Sequence, residues 1–349
     1  MCMDCYLWVM VAVRYPRPLQ SGGRIEIPAP SMGVPDALHE RLHAAITSLT
    51  RQGFDPHLRA HATIGGLAPA TAQERATDLE VAFVGAGAVL PPWGGKLAIE
   101  LIEDLNWTAI AEAETWFVGW SDISTLLVPL TILTGMATLH GANLMDEPWE
   151  LPTQFRRWTD IAGLAEGESF TQRSAPYRRS RPWVDWNDEP LDRESAYETP
   201  TRWRSLDGEP VSMRGRLIGG CLETVSFLAG SRFGDVPGFA KRHAPEGLIV
   251  YLESSGSDAP SVLRMLWSLR LAGWFRHASG ILIGRNSAEG TSDLTQAQAV
   301  DRALGDLGIP VIFDFDIGHQ PPQMPLVNGA LADVQLHDGQ GTIVQHLVD

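Results

Sequence analysis

The stretch "TWFVGWSDISTLLVPL", residues 115–130, decides the fold. An apolar run from Thr115 to Trp120 meets Ser121 and Asp122 with no connecting loop, and a second apolar run follows at once. The first half reads as a buried strand and "DISTLLVPLTILTG" (122–135) as the helix after it, which sets Ser121 on a strand-to-helix turn. Ser121 is then either the N-cap of an ordinary helix or a nucleophile presented at the carboxyl end of a strand. A nucleophile also needs a base, a carboxylate to orient that base and N–H donors for an oxyanion. Local sequence alone leaves both readings open.

Upstream, the same alternation recurs. "GRIEIPAPS" (23–31) reads as a short strand and turn, and "ALHERLHAAITSLTRQGF" (37–54) as a helix with Leu38, Leu42, Ala45, Ile46 and Leu49 on one face. "AQERATDLEVAFVG" (72–85) predicts a second helix, "GAVLPPWGG" (87–95) a strand running into a glycine turn, and "AIELIEDLNW" (98–107) a further helix. Such alternation favours an α/β unit with a mostly parallel sheet, whose sites lie at the strands' carboxyl ends.

The pattern breaks over 151–216, rich in Trp, Arg, Pro and acids without a sustained period. A loop of that length is usually a lid or a linker, and Trp158, Trp183, Trp186 and Trp203 argue against simple disorder. Regular alternation resumes with "GRLIGGCLETVSFLAG" (215–230). It continues with the strand "GLIVYLES", the helix "APSVLRMLWSLRLAGWF", the strand "SGILIGR", a helix near 293–305 and "IPVIFDFDIGH".

At 349 residues the chain is long for one core, so two packed units are expected. Its 42 acids against 27 bases give a net charge of −15, which argues against a nucleic-acid partner. No run of apolar residues is long enough to span a membrane. Three cysteines, Cys2, Cys5 and Cys221, provide no disulfide framework, and a reducing, cytoplasmic setting is the simplest expectation. Residues 1–17 lack the charged start and cleavage site of a signal peptide and are expected to be a disordered extension.

Three motifs are set aside. Cys2 and Cys5 form a C-x-x-C without a second ligand pair nearby. "HERLH" (39–43) fits H-E-x-x-H, with His39 and His43 one turn apart and Glu40 between them, but no third zinc ligand follows, so no metal is expected. "VGAGAV" (84–89) has Leu90 where a dinucleotide loop needs its third glycine, and Pro91 and Pro92 prevent a helix from opening there.

Three polar residues end apolar strands: Ser121 after "TWFVGW", Glu253 after "GLIVYL" and His319 after "VIFDFDIG". That is where sites on open α/β sheets are built. Glu253 could also be a helix-capping acid and His319 a loop residue. The glycines of "WGG" (93–95) would let a backbone N–H approach a substrate oxygen closely.

With "IPAPS", the paired glycines at 94–95, "GWSDIS", "TLHGAN", "GRLIGGCLET", "YLES", "GILIGR" and "DFDIGH" before "PLVNGA", the chain from about 20 to 349 resembles the serine LD-carboxypeptidases, including the microcin C immunity branch. The resemblance implies an α/β fold over 18–150, Rossmann/flavodoxin-like with a parallel sheet, and a smaller strand-rich α/β domain over 216–349, joined by the Trp/Arg-rich loop 151–215. It implies Ser121 as nucleophile, His319 as general base and then acid, Glu253 as the residue orienting the imidazole, and an oxyanion hole from the backbone N–H groups of Gly95 and Asp122. It further implies a homodimer acting without a cofactor on a small-molecule or short-peptide substrate, either a peptidyl- or aminoacyl-nucleotide or a murein tetrapeptide. Where the family has a tyrosine-glycine or polar stretch after its glycine pair, this chain has Lys96, Leu97 and Ala98, so the substrate contacts differ there. In "RRSRPWVDW" (178–186), arginine joins flat aromatic surface, and Trp183 and Trp186 are the candidates for stacking on a nucleotide base.

Overall fold

A computed structural model describes residues 11–147, 150–180, 191 and 197–349. The first half runs β1 (Arg24–Ile27), α1 (His39–Arg51), β2 (Asp55–Leu58), α2 (Ala72–Ala82), β3 (Ala88–Val89), α3 (Trp107–Glu112), β4 (Trp116–Gly119), α4 (Ser124–Thr134) and β5 (Thr138–His140). The connecting region holds α5 (Trp158–Ala162), β6 (Ser169–Arg173), β7 (Tyr177–Arg179), β8 (Tyr197–Pro200) and β9 (Arg204–Ser205). The remainder is β10 (Val211–Cys221), α6 (Leu222–Leu228), α7 (Val236–His243), β11 (Leu248–Glu253), α8 (Ala259–Leu271), β12 (Ala278–Gly284), α9 (Gln296–Leu304), β13 (Val311–Phe315), β14 (Leu326–Asn328), β15 (Leu331–His337) and β16 (Gln340–His346).

Two sheets organise these elements. The first has the order β14-β5-β4-β3-β1-β2, parallel except for β14. The second has the order β6-β16-β15-β10-β11-β12-β13-β9, with β10 to β13 parallel and the others antiparallel. Because β14 returns from the later sequence to pair Leu326 with His140, the two halves interlock through main-chain hydrogen bonds. Helix α4, apolar nearly all round, is buried from Ser124 to Ile132, as expected of a helix covered on every side. Ser124 Oγ accepts the Cys221 amide at 3.0 Å, so the start of α4 is tied directly to the end of β10.

Several expectations need correction. Over 98–107 there is no continuous helix: Ala98–Leu101 form a 3-10 turn, and α3 starts only at Trp107. Asn106 accounts for the break, because its side chain caps α3 by accepting the Ala109 N–H at 3.1 Å. The strand expected over 87–95 is only two residues long, since Pro91 and Pro92 have no amide to donate to a ladder.

Of the expected extension 1–17, residues 11–17 are part of the body. Val13 and Tyr15 are buried, Val11 N–H donates to Arg242 O at 2.9 Å, and the Tyr15 hydroxyl donates to Val348 O at 2.9 Å. Cys2 and Cys5 lie outside the described residues.

Nor is 151–215 a plain loop. β6 extends the second sheet beside β16, β9 pairs with β13, and β7 and β8 form a ribbon. Trp158 and Trp203 are buried and donate to Glu147 Oε2 at 3.0 Å and Asp316 Oδ2 at 2.8 Å, which is structural use of the indole. Trp183 and Trp186 lie outside the described residues. No helix among the described residues is long and apolar enough to cross a membrane.

Candidate active site

Strand β4 ends at Gly119, and Ser121 opens a 3-10 turn that leads into α4. Its φ of +58° lies in the left-handed region, where a non-glycine residue costs of order 1–3 kcal/mol. Ser121 makes no side-chain cap bond to the helix, so the N-cap reading fails. The turn is held by its neighbour instead. Asp122 Oδ2 accepts from Ser31 Oγ at 2.6 Å and from the Ala98 amide at 2.9 Å, drawing "IPAPS" and the glycine loop onto the serine. Two close approaches then require glycine. A Cβ at Gly94 would lie 2.8 Å from Ser121 Cβ, and one at Gly95, whose φ is +150°, would lie 2.3 Å from Ser31 Oγ.

Glu253 is the last residue of β11, and His319 lies four residues beyond β13. They meet Ser121 in a continuous chain: His319 Nδ1 to Glu253 Oε2 is 2.7 Å, and His319 Nε2 to Ser121 Oγ is 3.0 Å. The imidazole is almost fully buried, and the Glu253 side chain wholly so. Burial pulls the His319 pKa down, but the charge and hydrogen bond of Glu253, aided by Glu223 and Asp146, outweigh it and leave the pKa above its ordinary value. Trp120 covers one face of the ring at 4.3 Å between centroids, and its indole N–H is anchored on Asp146 Oδ2 at 2.7 Å. A hydroxyl bonded to an imidazole whose other nitrogen meets a buried carboxylate is the arrangement by which a weak nucleophile can be activated.

Ser121 borders two hollows. One of about 360 Å³ is lined by Gly95, Lys96, Asp122, Cys221, Glu223 and Phe227 among others. The other, of about 230 Å³, is lined by Met32, Trp93, Gly94, Asn143 and His319 among others. A larger surface hollow of about 580 Å³ along Arg202–Pro210 touches none of these polar groups, so size does not mark the site here. Asp122, offered for its amide alone, thus supplies a structural side chain as well.

Residues not singled out from sequence also converge. His140 and Gln323 stand behind Glu253, and Glu223 accepts from Ser254, Ser255 and Ser257 on one oxygen, fixing the loop after β11. "TLHGAN" contained the signal for His140 and for Asn143, whose Oδ1 accepts the Trp120 amide at 3.2 Å. The first helix does not assemble a zinc site. His43 and Glu40 are exposed, and His39 Nε2 is 3.1 Å from Val34 O. The grouping of possible ligand atoms among the described residues is Cys221, Glu253 and His319, within 4.8 Å of one another. Buried beside two carboxylates, the Cys221 thiol is pushed well above its ordinary pKa.

Comparison with known proteins agrees with this architecture. Residues 25–141 match the LD-carboxypeptidase N-terminal domain, and residues 214–334 match the LD-carboxypeptidase C-terminal domain. A putative carboxypeptidase of Streptomyces coelicolor is 27% identical over 339 residues, covering 94% of this chain and 95% of its own. The murein tetrapeptide carboxypeptidase of Pseudomonas aeruginosa is 25% identical, covering 85% and 88%. The microcin C7 self-immunity protein of Escherichia coli is 24% identical, covering 68% and 67%. In the fold, the crystal structure of an MccF-like protein from Bacillus anthracis matches 95% of this chain and 99% of its own at 22% identity, with a TM-score of 0.78. With both family domains in order along a two-sheet α/β frame, the chain belongs to the LD-carboxypeptidase family, a family of hydrolases.

Proposed function

We propose that the protein is a serine peptidase that hydrolyses an amide-type bond through an acyl-enzyme on Ser121. The observation that carries this is the buried chain Ser121–His319–Glu253, with the hydroxyl on a strained turn. In this reading His319 Nε2 takes the Ser121 proton as Oγ attacks the carbonyl carbon. The amides of Asp122 and Gly95 receive the developing oxyanion. The tetrahedral centre collapses as His319 returns the proton to the leaving nitrogen. Water, deprotonated by the same imidazole, then releases the acid and regenerates the serine. The two hollows that border Ser121 offer room for substrate groups beyond the scissile bond.

For the substrate, the first reading is microcin C immunity-like cleavage of a peptidyl- or aminoacyl-nucleotide, a detoxifying reaction, supported by the arginine- and tryptophan-rich sequence at 178–186. The second is release of the terminal D-alanine from a murein tetrapeptide. The murein relative, 25% identical over 85% of this chain, supports it. Turnover of an aminoacyl sulfamoyl-adenosine beside that of an L,D-linked tetrapeptide tests both, and hydrolysis of neither would remove the proposal. Trp186→Ala sharpens the choice. On the first reading it weakens the nucleotide substrate by about 1–3 kcal/mol, the range for stacking on a base, and spares the muropeptide. Equal losses on both substrates would give the tryptophan a structural role and favour the murein reading.

A further inference from the structure

Glu253 uses only one of its carboxylate oxygens on His319. The other, Oε1, is buried without a hydrogen-bond partner among the described residues, and so is Nε2 of His140, 4.0 Å away. Both side chains are wholly enclosed. A buried carboxylate oxygen is costly unless a donor faces it, so the proton on His140 matters. Gln323 decides where that proton sits. The Gly318 amide can only donate, and it donates to Gln323 Oε1, which turns the Gln323 amide nitrogen toward His140 Nδ1 at 3.1 Å. That nitrogen is itself only a donor, so Nδ1 must accept, and a neutral imidazole then carries its hydrogen on Nε2. Burial lowers the His140 pKa to about 4, against the opposing pull of Glu253, so the ring is neutral near pH 7.

We infer that His140, locked by Gln323 as the Nε2–H tautomer, is a positioning residue that holds the second oxygen of Glu253 and, through Glu253, the His319 imidazole. At 4.0 Å the contact is a charge–dipole interaction rather than a formed hydrogen bond, and the burial of both side chains is what gives it strength. The inference rests on the serine-peptidase reading for its consequence but not for its geometry. The other ionisable groups facing this cluster are Cys221 at the end of β10, Glu223 on α6, Asp146 in the turn after β5 and Tyr251 on β11. Tyr251 is occupied by Asn328 Oδ1 at 2.7 Å, and its ring meets His140 edge-on at 5.3 Å between centroids. Neither it nor the thiol, raised in pKa, competes as a charge near pH 7, and the neutral Cys221 thiol faces Glu253 as a further, weak S–H donor.

The test is nitrogen NMR on protein labelled in its histidine rings, which needs no substrate. Wild-type His140 is expected as the Nε2–H tautomer throughout pH 6–8. In His140→Leu the bare carboxylate projects a stronger negative potential on His319, so the His319 titration midpoint rises, by about half a pH unit or more. His140→Gln, which can place an amide donor near the same spot, is expected to bring the midpoint back toward wild type. An Nδ1–H tautomer or an imidazolium for wild-type His140 at pH 7 would overturn the inference, as would an unmoved His319 midpoint in folded His140→Leu. If that variant does not fold, Gln323→Met replaces it: loss of the single Nε2–H form supports the inference, and its retention overturns it. The same spectra remain readable in Ser121→Ala, so failure of the peptidase reading and failure of this inference are separable.

Discussion

His319 and His140 approach the two oxygens of Glu253, at 2.7 Å and 4.0 Å, and both rings are almost wholly enclosed. Burial acts on each in the same direction, toward the neutral form. It wins at His140, whose pKa falls to about 4, and loses at His319, where a direct hydrogen bond to Glu253 and the charges of Glu223 and Asp146 raise the pKa. The difference lies in geometry rather than in depth. One ring bonds the carboxylate and touches a hydroxyl; the other is committed to Gln323 and only faces the carboxylate. A single acid can thus sit between a histidine suited to exchanging protons and one suited to staying put.

The largest effect expected from this contrast belongs to His319→Ala, a loss on the order of 10⁴-fold or more in kcat, since among the described residues His319 Nε2 is the base placed against Ser121 Oγ. Steady-state kinetics on whichever substrate the wild type cleaves would check it. A loss of less than tenfold would move the base elsewhere and dissolve the contrast. Glu253→Gln comes next, at about 10²–10⁴-fold, because an amide neither charges the imidazole pair nor selects its tautomer as a carboxylate does. Equal activity of Glu253→Gln and wild type would reduce the acid to packing.

The smallest effect is a displacement in pH. His319 must be neutral to accept a proton, and its pKa is raised, so kcat/KM is expected to fall as pH drops through a midpoint above about 6.5, the ordinary imidazole value. An acid limb near pH 4 would instead match His140, whose burial lowers its pKa to about 4, and would exchange the roles of the two rings.

Sequence made Ser121 and Glu253 legible because an apolar run stopping at a polar residue is a local signal, whereas His319 stands four residues beyond β13, after Asp314 and Asp316, and was legible only through "DFDIGH". The structure brings those three into contact across sequence separations of 66 and 198 residues. His140 lay within "TLHGAN", but its role was not legible there, because it acts through Gln323, 183 residues away. The burial of residues 11–17 is not a local signal, because it depends on elements far along the chain, Arg242 and Val348 among them. The helix expected over 98–107 failed for a local reason, the Asn106 cap, that an apolar period alone does not weigh. The strands within 151–215 had no alternation strong enough to announce them, since β7, β8 and β9 are short and partly exposed.

The central claim is that Ser121 forms the acyl-enzyme, and the turnover of Ser121→Ala beside wild type tests it most directly, with circular dichroism showing both to be folded. The account predicts a kcat lowered on the order of 10³-fold or more, the residue of activity coming from binding and oxyanion contacts alone. Turnover of the folded variant at the wild-type rate would contradict it and take Ser121 out of the mechanism.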